Sequence, residues 1–200
     1  MKNSILTPAL ALLVAAVMMA VMPTEAEAAV YDDTVRLHIL ANSDSEGDQT
    51  LKYEIRNEVL NEFGTQLSAL ESAEDAEVML CGLLENIEEF CETEIRERGY
   101  SYNVEVMLGK EWYDTRKYES FTLPKGIYTS LRIIIGEGGG KNWWCVMFPP
   151  LCLDAATETA PSDDAVKKYT DEEFMLITST GYNVKFKMLE LISDAFSQKH

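Results

Sequence analysis

Alternating hydrophobic and polar residues mark several stretches of this chain as half-buried β-strands. In the first of them Val35, Leu37 and Ile39 point to one side while Arg36 and His38 point to the other. The same alternation predicts five strands in all, over residues 34–41, 100–108, 115–121, 127–135 and 143–148. The stretch 115–121 is the weakest of these. Glycines at 136–140 predict a turn between the last two strands.

Two longer stretches repeat their hydrophobic residues at the helical period instead. The first helix is predicted to begin after Ser45, because Asp48 three residues later completes a helix-capping pattern. The second is predicted to begin after Ser72 and to end at Gly99. A short C-terminal amphipathic helix is predicted over 186–196, with Phe186 and Phe196 on its apolar face.

The order of these elements predicts the fold class. One strand, two helices, several strands and a final helix are typical of an α+β domain. We expect a largely antiparallel sheet with two long amphipathic helices on one face and a short C-terminal helix. The polar, acidic stretch 155–173 is predicted to be a loop that extends from this domain.

The N-terminus has the pattern of a secretory leader. A lysine at position 2 precedes an apolar run over 5–21, and Ala26-Glu27-Ala28 offers small residues where signal peptidase cuts. We therefore predict that residues 1–28 are a signal peptide that is removed, leaving 29–200 as a single soluble domain. An uncleaved N-terminal anchor is the alternative. Export would place the mature domain where disulfides persist.

Charge narrows the choice of partners. The 200 residues contain 34 acidic and 17 basic side chains, for a net charge of -17. Such a chain repels nucleic acid and anionic lipid, and it resists self-assembly, so we expect a monomer. The four cysteines lack the short paired spacings of a zinc site, and the turn at 42–47 lacks the twelfth-position acid of a calcium loop. We predict neither metal nor cofactor.

The cysteines allow two interpretations. Cys145 and Cys152 lie seven residues apart across Pro149-Pro150, so a reversal of the chain could bring them within disulfide distance. Alternatively, Cys145 could be the nucleophile of an exported hydrolase, with His38 as its base and Asn142 as the orienting amide. Cys81 and Cys91 are too far apart along one helix to bridge and are predicted to be buried thiols.

Two sequence blocks are distinctive together. The first is V-R-L-H-I-L-A-N-S-D-S at 35–45, and the second is N-W-W-C-V-M-F-P-P-L-C at 142–152. Over roughly residues 34–153 the chain resembles the stage II sporulation protein R family of endospore-forming bacteria. The second block is the more specific of the two.

This resemblance implies a signal and not an enzyme. Members of the family are exported from the forespore into the space between the forespore and mother-cell membranes. There they activate a membrane-embedded aspartic-type protease that matures the early mother-cell sigma factor. An exported cysteine hydrolase using Cys145 and His38 is the main alternative, and a structural protein of the developing spore is a third.

A signal needs a surface that its receptor recognises. We expect this surface in the two segments whose polar and aromatic residues are not required by their local structure. The predicted partner-binding residues are Asn42, Ser43, Asp44, Ser45, Asn142, Trp143, Trp144, Phe148, Pro149 and Pro150.

Overall fold

The structure is a computed structural model that describes residues 10–18, 22–118, 121–151 and 168–178. Its helices are α1 (residues 10–18), α2 (Glu25–Asp32), α3 (Glu46–Ser68), α4 (Ala73–Glu97) and α5 (Asp171–Thr178). Its strands are β1 (Val35–Leu40), β2 (Val104–Tyr113), β3 (Arg116–Lys117), β4 (Thr122–Leu123), β5 (Gly126–Ile135) and β6 (Asn142–Phe148). None of the helices in these ranges has the length and apolar character needed to cross a bilayer.

Four strands form the main sheet, in the order β2-β5-β1-β6. The β2–β5 and β1–β6 pairs are antiparallel, whereas β1 and β5 run parallel. The parallel pair arises because α3, α4 and β2 all lie between β1 and β5 along the chain. The mostly antiparallel sheet and the two long helices confirm the predicted α+β class.

The two long helices cover one face of the sheet. Each begins at the predicted serine, since the Oγ of Ser45 accepts from the Asp48 amide at 3.2 Å and the Oγ of Ser72 accepts from the Asp75 amide at 3.1 Å. The predicted apolar stripe of α3 is buried, including Leu67 at its end. On α4, however, Val78 and Cys81 are exposed, and the exposure of Cys81 corrects the prediction that it is a buried thiol.

The other face of the sheet is covered by short elements that the hydrophobic pattern did not predict. Tyr31 of α2 packs edge-on against Tyr128 of β5, with ring centroids 5.1 Å apart. The β3–β4 hairpin lies over the same face, where the hydroxyl of Tyr118 accepts a hydrogen bond from Arg36. Both faces of the sheet are therefore covered, one by the two long helices and the other by α2 and the β3–β4 hairpin.

Some boundaries differ from those predicted. β2 begins at Val104, not Tyr100, and continues to Tyr113. The weak strand predicted over 115–121 is a two-stranded hairpin, β3–β4, instead. The last residues of the predicted acidic loop, 155–173, are helical, since α5 begins at Asp171. The predicted helix at 186–196 lies outside the described residues.

Candidate functional site

The turn at residues 42–45 is organised by one buried carboxylate, that of Asp48 in the first turn of α3. Its Oδ2 accepts from Asn42 Nδ2 at 3.0 Å and from Ser43 Oγ at 2.5 Å, and its Oδ1 accepts from the hydroxyl of Tyr102 at 3.0 Å. These bonds, led by the one from Ser43, hold the pKa of Asp48 below its usual value. We call Asn42, Ser43, Asp44, Ser45 and Asp48 the turn cluster.

The turn cluster also holds the glycine turn that precedes β6. Asn42 Oδ1 accepts from the amide of Glu137 at 3.0 Å, and Asp44 Oδ1 accepts from the amide of Lys141 at 2.7 Å. A Cβ at Gly140 would collide with the Ser43 carbonyl, so only glycine allows the two turns to approach this closely. The polar side chains of Asn42 and Ser43 are therefore required by the fold, through partners distant in sequence.

The two tryptophans of β6 face opposite sides of the sheet. Trp143 is paired with Ile39 and Trp144 with His38, and side chains on a strand alternate. On the helix side, the guanidinium of Arg56 lies 4.8 Å from the Trp143 ring centre. Both indoles are half-buried, so each keeps an accessible edge.

On the opposite face, His38 is held between an acid and an aromatic ring. Its Nδ1 lies 3.0 Å from Glu111 Oε1, and its ring stacks on Trp144 with centroids 5.4 Å apart. The guanidinium of Arg116 covers the same indole at 4.0 Å. Burial lowers the pKa of His38 despite the nearby carboxylate of Glu111.

This arrangement separates the two residues of the predicted hydrolase. Cys145 is paired with Leu37, the neighbour of His38 on β1. Because adjacent residues on a strand point to opposite faces, the thiol position and the imidazole lie on opposite sides of the sheet. Cys145 and His38 do not form a catalytic pair in this fold.

Arg36 is the largest of the fully buried side chains. Its Nη2 donates to the hydroxyl of Tyr118 at 2.9 Å, and its guanidinium lies 3.9 Å from the Tyr113 ring centre and 5.0 Å from that of Tyr128. Within the described ranges, its Nε and Nη1 have no hydrogen-bond partner. Two tyrosine rings and the hydroxyl of a third tyrosine thus stabilise a buried charge that has no carboxylate within salt-bridge distance among the described residues.

The ten predicted partner-binding residues do not form one surface. Asn142 and Trp143 lie beside the turn cluster, where Asp44 and Ser45 are exposed. Phe148, Pro149 and Pro150 are buried at the other end of β6, about 20 Å away along the strand. In this fold the first group is accessible at the surface, whereas the second group is covered.

The charged side chains between the long helices have a structural role. Arg98 bridges both helices through Glu54, Glu58 and Glu94, with distances of 3.1, 3.0 and 2.6 Å. No group of three histidine, cysteine or acidic side chains within the described ranges is arranged to hold a metal ion.

Comparison with known proteins gives a family match and a relative. The model of the stage II sporulation protein R family matches residues 31–158, which include every strand and both long helices. Stage II sporulation protein R of Bacillus subtilis (strain 168) is 35% identical over 185 residues, covering 83% of each chain. No solved structure matches this chain.

Proposed function

The chain belongs to the stage II sporulation protein R family, and from that premise we propose that it is an exported signal of sporulation. The signal activates a membrane-embedded aspartic-type protease, which then matures the early mother-cell sigma factor. The family match over residues 31–158 carries this proposal. The separation of Cys145 from His38 favours it over the hydrolase alternative.

Export is proposed to place the mature domain between the forespore and mother-cell membranes. The apolar run and the Ala26-Glu27-Ala28 motif support removal of residues 1–28. Cleavage after Ala28 would fall inside α2 and would remove its N-cap, Thr24. Tyr31, whose hydroxyl donates to the Lys125 carbonyl at 2.8 Å, would then fasten the new N-terminus to the sheet.

A disulfide between Cys145 and Cys152 is part of the proposal. Cys152 lies outside the described residues. Cys145 is buried, and the free thiols among the described residues are those of Cys81 and Cys91. This assignment supports the predicted pairing, which would close the end of β6 in an oxidising compartment.

Activation by a ligand requires tighter binding to the active receptor than to the inactive one. Turning a mostly inactive population into a mostly active one takes about 5.5 kcal/mol of differential binding energy. We propose that a surface on this chain binds the receptor and contributes part of this differential binding energy. The surface consists of Asp44, Asn142 and Trp143, with Tyr53 of α3. Tyr53 is 43% exposed, and the Arg56 guanidinium lies between the two aromatic rings, 5.2 Å from that of Tyr53 and 4.8 Å from that of Trp143.

Reconstitution tests the proposal directly. Purified mature chain is added to membranes that contain the receptor protease and its sigma-factor precursor, and precursor cleavage is followed over time. We expect cleavage only when the chain is present. Equal cleavage without the chain, or with heat-denatured chain, would contradict the proposed function.

Trp143→Ala is expected to reduce activation at least tenfold, because aromatic anchors dominate most protein interfaces. The measurement is the chain concentration that gives half-maximal precursor cleavage. Phe174→Ala is the matched control, since Phe174 is an aromatic residue that is 36% exposed on α5, away from this surface. Equal activity of the two variants would exclude Trp143 from the receptor contact.

His38→Ala is expected to change activation by less than about threefold once the stability of the variant is allowed for. His38 supports Trp144 and Glu111 but is only 4% exposed, so a receptor does not reach it. The same assay measures this effect, with thermal unfolding recorded alongside. A loss of several orders of magnitude in a folded variant would instead indicate catalysis by His38.

A further inference from the structure

The outer edge of β2 is protected along only half of its length. β2 is an edge strand of the sheet. The carboxylates of Glu92 and Glu88 on α4 accept hydrogen bonds from the outward amides of Val104 and Val106, at 3.3 and 3.2 Å. These bonds block the first half of the edge against any other strand.

The outward amides continue beyond this protection. The β2–β5 register has no bulge, so the amides of Leu108, Lys110 and Trp112 point outward in the same way as those of Val104 and Val106. Within the described part of the chain, no hydrogen bond is found from any of these three amides to a neighbouring side chain. We call residues 108–112 the open half-edge.

The reason for the difference lies in the sequence of α4. Glu92 lies beside Val104, and Glu88 lies beside Val106. A step of two residues along β2 therefore matches a step of about one turn along α4. Continued toward the start of α4, this progression first reaches Glu85 beside Leu108, although no hydrogen bond joins the two in the described part of the chain. It then brings Cys81 and Val78 to the rest of the open half-edge. Neither side chain offers the carboxylate that Glu88 and Glu92 provide.

Apolar residues are also exposed beside the open half-edge. Trp112 is 60% exposed and is paired across the strands with Ile127, which is 55% exposed, while Val78 is 70% exposed. Outside the leader, the other exposed large hydrophobic residues of the described chain are Tyr53, Phe174 and Met175, and of these only Met175 is as accessible. Unpaired amides beside an apolar anchor are what an added strand requires.

We propose that the open half-edge binds an extended segment of the receptor by adding it to the sheet as a further strand. This inference rests on the proposed function and names a second contact with the same partner, at the sheet edge opposite β6. An apolar side chain of the added segment packs against Trp112, Ile127 and Val78.

Charge identifies the kind of segment that fits. Residues 46–97, which include both long helices, contain fifteen acidic and three basic side chains. Glu85, Glu88 and Glu92 follow the same side of α4 beside this edge. A second copy of the chain would bring two such rows together, so the added strand is neutral or basic and comes from another protein.

Lys110→Pro tests the backbone contact. Proline removes the outward amide, and at an outward position of an edge strand it breaks no backbone hydrogen bond to β5. The side-chain bond from Lys110 Nζ to Thr129 is lost in the proline variant and in the alanine control alike. Binding to membranes that contain the receptor protease is expected to weaken at least tenfold. Lys110→Ala keeps the amide and serves as the control, with an expected change of less than threefold. Thermal unfolding of each variant shows whether the fold is retained.

Hydrogen exchange of the wild-type chain provides a second measurement that does not depend on the proline variant. In the free chain, the amides of Leu108, Lys110 and Trp112 should exchange faster than those of Val104 and Val106. Addition of the receptor protease in membranes should slow exchange at the first three at least tenfold. No slowing there, with the receptor bound, would overturn the proposal.

The outcomes separate the two proposals. If folded Lys110→Pro chain binds and activates as well as wild type, the open half-edge is not a contact and the proposed function stands. If wild-type chain neither binds nor activates the protease, the proposed function fails and this inference fails with it. If the chain forms dimers that Lys110→Pro abolishes, the added strand is a second copy and the charge reasoning is wrong.

Discussion

Asp48→Ala is expected to lower the free energy of unfolding by about 3 kcal/mol. The substitution leaves the side chains of Asn42, Ser43 and Tyr102 without the acceptor that they share. Each donor that loses its partner costs about 1–3 kcal/mol where water does not reach it, and Asn42 and Ser43 are partly accessible. The measurement is denaturant unfolding followed by tryptophan fluorescence.

Asp75→Ala is the matched control for this experiment. Asp75 holds the same position in the first turn of α4, but it is exposed and its side chain accepts from Ser72 alone. We expect its loss to cost less than about 1 kcal/mol. Equal costs at the two positions would show that Asp48 is only a helix-terminal charge and does not organise the turn cluster.

The pH dependence of the Asp48 effect has a definite sign. Because its pKa is lowered on folding, the carboxylate stabilises the protein fully above its ordinary pKa of 3.8. That stabilisation is lost as the pH falls through the lower pKa of the folded state. The difference between wild type and Asp48→Ala should therefore be constant near neutral pH and should shrink below about pH 4.

Arg36→Ala is expected to cost about 4 kcal/mol, and Arg36→Met much less. Alanine leaves a cavity among Tyr113, Tyr118 and Tyr128, whereas methionine fills most of it. Methionine also removes Nε and Nη1, which are buried without partners and destabilise the folded state. We expect Arg36→Met to lie within about 1 kcal/mol of wild type in denaturant unfolding.

Arg96→Ala controls for the loss of an arginine as such. Arg96 is exposed on α4 and contacts only its own helix, so its loss should cost less than about 0.5 kcal/mol. If Arg36→Met is as unstable as Arg36→Ala, the positive charge itself is required. The fold would then contain a compensating negative charge for Arg36.

Local patterns predicted most of the secondary structure here, but not the pairing of the strands. Alternation located β1, β5 and β6, and capping serines located the starts of α3 and α4. The parallel pairing of β1 with β5 depends on contacts more than 85 residues apart, which no local pattern records. For the same reason, no local pattern indicated the structural role of Asn42, whose side chain accepts a hydrogen bond from the distant amide of Glu137.

The two short helices had a local signal that hydrophobic periodicity overlooks. Thr24 and Glu27 form a capping box at α2, and Thr170 with Glu173 makes the same reciprocal bonds at α5. Both helices are only eight residues long, so neither shows two full repeats of an apolar stripe. A search for threonine followed three residues later by glutamate would have predicted their starts.

The position of β1 between two late strands determines when the domain can fold. β1 is complete at Leu40, but its neighbours, β5 and β6, begin only at Gly126 and Asn142. The central strand therefore has no partner until most of the polypeptide has emerged, because long-range pairing must wait for distant segments. Under the export proposed above, such a chain would still lack its closed sheet while it passes through a secretion channel.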